Sequence, residues 1–310
     1  MALGPPVSVW CVTTVPPADH SGTADAWPVP PLFARLVDDT SLLQPRDVAP
    51  DVDEVVARYL AARDGRYGGL VGQLVCPVSR LATLVTELAR AAPARPVDVS
   101  LVVDTGLGAV PKALSTVFSR SGLLTPRTIE TAAPPDLDAV WLDRVAEFVP
   151  EDVVAVVEPR RPVAADPAET ALWLDAVRRV ADQGCVPKLR CGGTRPSEVP
   201  SAADVEHFVR VVAGTGRRFT TSGLRQAVRT SNGAGAGPHG ILNLVVAVAR
   251  ALAGGDVQGA LESSDGEALA GETVRLSEQR AQGVRGLLAR CGVDPEPLPA
   301  VELVGLGVLD

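Results

Sequence analysis

From residue 69 to residue 222 the chain repeats one unit: a short apolar run, a turn, then a stretch with helical periodicity. Strands are predicted at 69–77 (GLVGQLVCP), 97–104 (VDVSLVVD), 127–132, 153–158 (VVAVVE), 185–191 and 217–222. Between and after them the spacing predicts helices over 79–92, 110–121, 137–148, 167–183 and 201–214. Ser79 reads as a helix N-cap, and Pro167 falls near a first turn, where its missing N–H costs nothing. A further helix is predicted over 50–63, with Val52, Val55, Val56, Tyr59 and Leu60 on one stripe.

Six strand–helix steps of roughly 25–30 residues imply a parallel sheet with helices outside, the step of a (β/α)8 barrel. The strands are apolar throughout instead of alternating, as burial on both faces requires. Segments Val7–Val15 and Val284–Arg290 are candidates for the two missing strands. The stretch 239–280 reads as helical throughout and breaks the simple repeat. An open doubly wound sheet is the alternative, but no GxGxxG follows the first strand. The expected fold class is therefore α/β, a TIM-barrel-like (β/α)8 domain over 32–310, behind an N-terminal extension over 1–31 that is proline-rich at 16–31.

Composition narrows the function. Hydrophobic residues make up 46 % of the chain, too many for intrinsic disorder. The formal charge is -8, so no basic footprint for nucleic acid is expected. The five cysteines (Cys11, Cys76, Cys185, Cys191, Cys291) are scattered without a CxxC, which favours buried thiols in a reducing cytosol. The N-terminus has no basic n-region, and the longest apolar run, 241–253, is broken by Asn243 and Arg250. A cytoplasmic protein is expected, with a small-molecule substrate, no nucleic acid and no membrane among its partners, and a homodimer left open. The histidines (His20, His207, His239) form no HxH or HExxH, so neither metal nor cofactor is expected.

In parallel α/β folds, ligands bind at the carboxyl ends of the strands. Polar residues predicted there are Asp104, Glu130, Glu158, Lys188, Arg190, Thr220, Thr221 and Ser222. Of the 29 basic residues only Lys112 and Lys188 are lysine, and Lys188 lies within a strand, in VPKLRCGG. Lys188 and Arg190 share one strand face, and two adjacent buried cations need an anion. A cation beside a lysine also favours its neutral, nucleophilic form. The plainer expectation is a lysine paired with Glu158 on the neighbouring strand.

Gly192 and Gly193 would let backbone amides approach an anion. Thr220, Thr221 and Ser222 form a second hydroxyl-bearing exit, and Arg225 after it would clamp a carboxylate. Glycine-rich 232–240 reads as a mobile active-site loop opening a helix at His239, whose N-terminus would lower the histidine pKa and attract anions. Asn243, in an apolar helix, needs a partner if buried. The charged segment around Asp38, Asp39 and Arg46 reads as a solvated loop before the first strand, with covering a barrel mouth as the alternative.

Two resemblances rest on these motifs. LFARLVDDTSLLQPRD, GGLVGQLVCPVSRL, KLRCGG, TTSGLRQAVR and PHGILNLVVA together resemble an uncharacterised family of actinobacterial barrel-like proteins over most of 32–310. That family's sixth strand usually reads FKATAGLHH; here the lysine position is Thr220 and the histidine pair is Arg225 and Gln226. This resemblance implies a barrel and no particular activity. KLRCGGTRPSE with the later TTSG is similar to the end of deoxyribose-phosphate aldolases, where a strand lysine forms a Schiff base and a serine-rich exit holds phosphate. It implies a lyase.

The sequence thus points to an aldolase-like lyase acting on a small anionic oxygenated metabolite. Lys188, Glu158 and His239 are its expected catalytic residues. Arg190, Gly192, Gly193, Thr220, Ser222, Arg225 and Asn243 are its expected substrate contacts. The rivals are a cofactor-free isomerase or cyclase using His239 and Glu158 as acid and base, and a non-catalytic ligand-binding barrel.

Overall fold

The computed structural model describes residues 28–310 apart from 46, 47, 49, 164, 165, 194, 195, 233, 234 and 295–298. The strands are β1 (Val37–Asp39), β2 (Val71–Pro77), β3 (Val97–Val102), β4 (Leu124–Ala132), β5 (Val154–Glu158), β6 (Val186–Arg190) and β7 (Phe219–Leu224). They continue with β8 (Ser231–Asn232), β9 (Gly235–Ala236) and β10 (Leu288–Val293). Eight of them close a barrel in the order β1-β10-β7-β6-β5-β4-β3-β2, and every pair around it is parallel. The fold is a TIM-type (β/α)8 barrel.

The helices α1 (Val52–Arg63), α2 (Leu81–Ala91), α3 (Val110–Phe118), α4 (Ala139–Phe148), α5 (Pro167–Asp182) and α6 (Ala202–Thr215) lie within two or three residues of the sequence prediction. Their boundaries follow local chemistry. Asp166 accepts the N–H groups of Ala168 and Glu169, with Pro167 at the first position of α5. Ser201 and Asp204 form a capping box on α6, which ends at Gly216 in the left-handed region. Ser79 is not the cap of α2; it lies in a 3-10 turn (Val78–Arg80) before that helix.

Two corrections concern closure. The first barrel strand among the described residues is Val37–Asp39, inside the segment read as a charged loop, and the Val7–Val15 candidate lies outside the described residues. The last strand starts at Leu288, because Val284–Leu287 end a helix. A three-residue strand carrying two aspartates has no apolar pattern to announce it. It exists because β2 and β10 supply partners on both sides.

Between β7 and β10, the expected continuous helix is four: α7 (Ile241–Ala253), α8 (Val257–Glu262), α9 (Gly266–Val274) and α10 (Glu278–Leu287); α11 (Ala300–Gly305) follows β10. Every residue from Ile241 to Val248 is buried, so the first two turns of α7 are covered on all sides. It anchors the largest apolar cluster, with Phe208, Phe219, Leu288 and Val293. β8 and β9 form a short antiparallel ladder within the glycine-rich stretch expected to be a loop.

Strand alternation sorts the barrel into two layers. Leu74, Val99, Leu101 and Ile129 pack outward against helices with Leu84 and Leu114. The opposite faces carry a polar interior. Thr128 Oγ1 donates to Gln73 Oε1 at 2.9 Å, and Asp38 accepts the Gln73 backbone N–H at 2.6 Å with Arg290 3.5 Å away. Gly72 leaves the space these groups use: a Cβ there would stand 2.1 Å from the Asp38 carboxylate and 2.6 Å from the Arg290 guanidinium.

The four described cysteines are buried and unbridged, and Cys11 lies outside the described residues. Burial pushes the Cys76 thiol up to about 12 and raises Cys185, Cys191 and Cys291 as well, so all four are inert at neutral pH. No helix of the described residues is long and apolar enough to cross a membrane.

Candidate active site at the barrel mouth

Pro77, Val102, Ala132, Glu158 and Arg190 are the last residues of five consecutive strands, β2 to β6. All five line one cavity of about 400 Å3. The cavity therefore sits at the carboxyl end of the barrel, where each strand hands its chain to a loop. Leu42, Leu43, Gln44 and Pro45, from the turn after β1, line it as well. That turn is tied down: Gln44 donates to both carboxylate oxygens of Asp294, at 2.8 and 2.7 Å.

Lys188 and Glu130 both line this cavity. Lys188 is 6 % exposed, and its Nζ donates to Glu130 Oε2. Ser100 Oγ donates to the other oxygen, Oε1. The partner of the lysine is thus Glu130 on β4, and not Glu158 on the adjacent strand. Glu158 is taken by Arg190, which donates from Nε at 2.8 Å and from Nη2 at 3.2 Å. That carboxylate raises the guanidinium pKa further above its ordinary value.

Lys188 and Arg190 do share one face, but only Lys188 is buried, since Arg190 at the strand end is more than half exposed; each resolves its charge with its own carboxylate. Register places Thr220 beside Lys188 and Ser222 beside Arg190. Both side chains are buried, and Thr220 Oγ1 has no hydrogen-bond partner.

The other predicted residues lie elsewhere. His239 is buried and its Nε2 meets the Pro200 carbonyl at 2.9 Å. Burial lowers its pKa, which the Pro200 carbonyl partly opposes. The helix after it is capped through Asn243, whose Oδ1 accepts from Gly240 N at 3.2 Å and Arg229 N at 2.7 Å. Its Nδ2 donates to the carbonyls of Ala260 and Ser263, both at 2.8 Å. Asn243 is fully buried and has found its partners in this junction.

Gly192 approaches Gly223 backbone to backbone: a Cβ on Gly192 would stand 2.1 Å from the Gly223 carbonyl oxygen. The space foreseen for an anion between these two exits is filled by the chain itself. At Gly193 a Cβ would meet the Glu198 carboxylate at 2.0 Å. Arg225 is more than half exposed and lies 3.8 Å from Asp294. None of these five residues, and neither Thr220 nor Ser222, is among those lining the cavity. Arg46 lies outside the described residues.

Residues to which the sequence assigns no catalytic or substrate-binding role complete the site. Glu130 is legible from the sequence as a polar residue near a strand end; its signal is a carboxylate two residues before the end of β4. Ser79 and Arg80 follow β2 directly and line the cavity with Asp104. Asp104 Oδ1 accepts from Ser79 N at 3.0 Å, and Oδ2 accepts from Ser79 Oγ. Among the described residues no group of three His, Cys, Asp or Glu side chains is arranged to hold a metal ion.

No protein-family model matches the chain, and no curated protein matches it. Both resemblances drawn from the motifs therefore rest on those motifs alone. Among solved structures, the chain is similar to a Xanthomonas albilineans dihydropteroate synthase in complex with indole-2-carboxylic acid and 6-chloroguanine. The TM-score is 0.39 and the identity 15 %, over 89 % of this chain and 93 % of that one.

Proposed function

We propose that this barrel is an enzyme of the aldolase-like lyase class, acting on a small oxygenated anion in the mouth cavity. Lys188 would be its nucleophile and Glu130 its proton carrier. The observation that carries the reading is the buried Lys188–Glu130 pair facing a cavity of metabolite size. A buried ion pair is a poor stability device, because desolvation offsets most of the Coulomb gain. Its position at the carboxyl end of a TIM barrel favours a chemical use.

In this reading Glu130 takes the Nζ proton and the free amine adds to the substrate carbonyl. Proton transfer gives a carbinolamine. Glu130 returns the proton to its hydroxyl, which leaves as water, and an iminium remains. The carboxylate then removes the proton of the β-hydroxyl group. The carbon–carbon bond breaks, its electrons pass into the iminium, and an enamine and an aldehyde form. Glu130 protonates the enamine carbon, and water hydrolyses the resulting iminium to free Lys188. Ser100 holds the carboxylate in place from its far side.

A second reading is favoured by the same pair: Lys188 and Glu130 as an acid–base couple for an isomerase or cyclase, with no covalent step. The pair, and not His239 with Glu158, would then do the work. Borohydride with a panel of small phosphorylated and carboxylated aldehydes and ketones, followed by mass spectrometry, separates the two. The lyase reading expects a reduced adduct on the Lys188 peptide and none in Lys188→Arg, since arginine keeps the charge but forms no imine. Turnover without any adduct would leave the acid–base reading. Neither turnover nor adduct with any member would favour a ligand-binding barrel.

A further inference from the structure

Three cations and three carboxylates line the mouth cavity: Arg80, Lys188 and Arg190, with Asp104, Glu130 and Glu158. Two pairs resolve each other, Lys188 with Glu130 and Arg190 with Glu158. Asp104 is satisfied by the backbone N–H and hydroxyl of Ser79. Arg80 has neither a carboxylate nor a hydrogen-bond partner among the described residues, although its side chain is partly buried.

An anion arriving in this cavity has one place to go at low cost. Arg190 already shares its charge with Glu158, so an anion reaching it meets a carboxylate at the same guanidinium. To reach Lys188 it must break a buried pair. Arg80 offers five donors in a fork and loses only water. We propose that Arg80 is the anion-docking residue of the cavity, and that the substrate presents it with a single carboxylate or phosphate group. This rests on the catalytic reading of the same cavity and names the substrate class it takes. A second anionic group on the ligand would face Asp104, Glu130 or Glu158, so the remainder of the molecule is uncharged and hydroxylated or carbonyl-bearing.

The probes are inorganic phosphate and, separately, lactate, titrated into the full chain and followed by NMR. Wild type is expected to bind at least one of them saturably. Arg80→Gln is expected to bind it about 10- to 100-fold more weakly, the loss of one charge-assisted contact. Arg80→Lys should recover part of the affinity, which keeps the test intact should the glutamine variant fold poorly. The idea is overturned if Arg80→Gln binds like wild type, or if wild type binds neither anion. Lys188→Arg, which can form no imine, should still bind the anion. Absence of a borohydride adduct in wild type, with Arg80-dependent anion binding retained, would remove the Schiff-base step and leave the docking role standing.

Discussion

Lys188 on β6 and Glu130 on β4 form an ion pair across the intervening strand β5, inside the barrel and at the floor of its mouth. The two side chains are 6 % and 11 % exposed, so neither can exchange the other for bulk water without loss. Removing one charge leaves its partner stranded. Glu130→Gln is expected to cost about 3 kcal/mol or more. The double variant Glu130→Gln with Lys188→Met should recover much of that loss. Urea denaturation of the singles and the double measures it, and a Glu130→Gln protein as stable as wild type would contradict the pairing.

Asp38 is fully enclosed, and burial pushes its carboxyl up to about 6, although Arg290 and the Gln73 N–H pull the other way. In the unfolded chain the same group titrates near its ordinary value of about 3.9. Because the folded value is the higher one, the unfolded chain gives up its proton first. Stability is then lost as pH rises from about 4 to about 6, up to about 3 kcal/mol, and is not lost again above that range. Asp38→Asn has no proton to lose. Urea denaturation at steps from pH 4 to pH 7 should show wild type falling relative to Asp38→Asn through this window. A pH-independent difference would mean that Asp38 ionises normally.

Gly192→Ala places a methyl group 2.1 Å from the Gly223 carbonyl oxygen, backbone that cannot swing aside. The cost is expected at about 1–3 kcal/mol, as in other overpacked sites. Gly223→Ala should cost more, because it adds about 1–2 kcal/mol of left-handed strain at φ +80 to a clash with Gly192. Thermal melts of both variants check the order. Equal melting temperatures to wild type would mean that the two exits can separate.

Asn243→Ala removes four hydrogen bonds at a fully buried junction and strands two backbone carbonyls and two N–H groups. A loss on the order of 3 kcal/mol is expected. Anion binding at low temperature should be unchanged per folded molecule, since Asn243 is not among the residues that line the cavity. A binding defect in a fully folded Asn243→Ala protein would give this residue the substrate contact first expected of it.

Much of the architecture was legible because its signals are local. Val156 and Val157 read as a buried strand from their neighbours alone, and Pro167 marks the first turn of α5. His239 and Asn243 are ambiguous in the sequence for a related reason. A glycine-rich approach, a histidine and a buried amide look alike whether they serve a ligand or satisfy a helix junction. Only the positions of Pro200, Ala260 and Ser263 tell the cases apart.

The sequence by itself determined the alternation of strand and helix, the parallel sheet it implies, and the presence of one lysine in a barrel strand facing the same way as Arg190. Periodicity and caps are set within a few residues, so they survive without the rest of the chain. The tertiary structure decided which strand closes the barrel and which carboxylate meets which cation. Val37–Asp39 becomes a strand only when β2 and β10 flank it. Lys188 chooses Glu130, 58 residues away, because barrel curvature brings the interior faces of β4 and β6 together while Glu158 is claimed by Arg190.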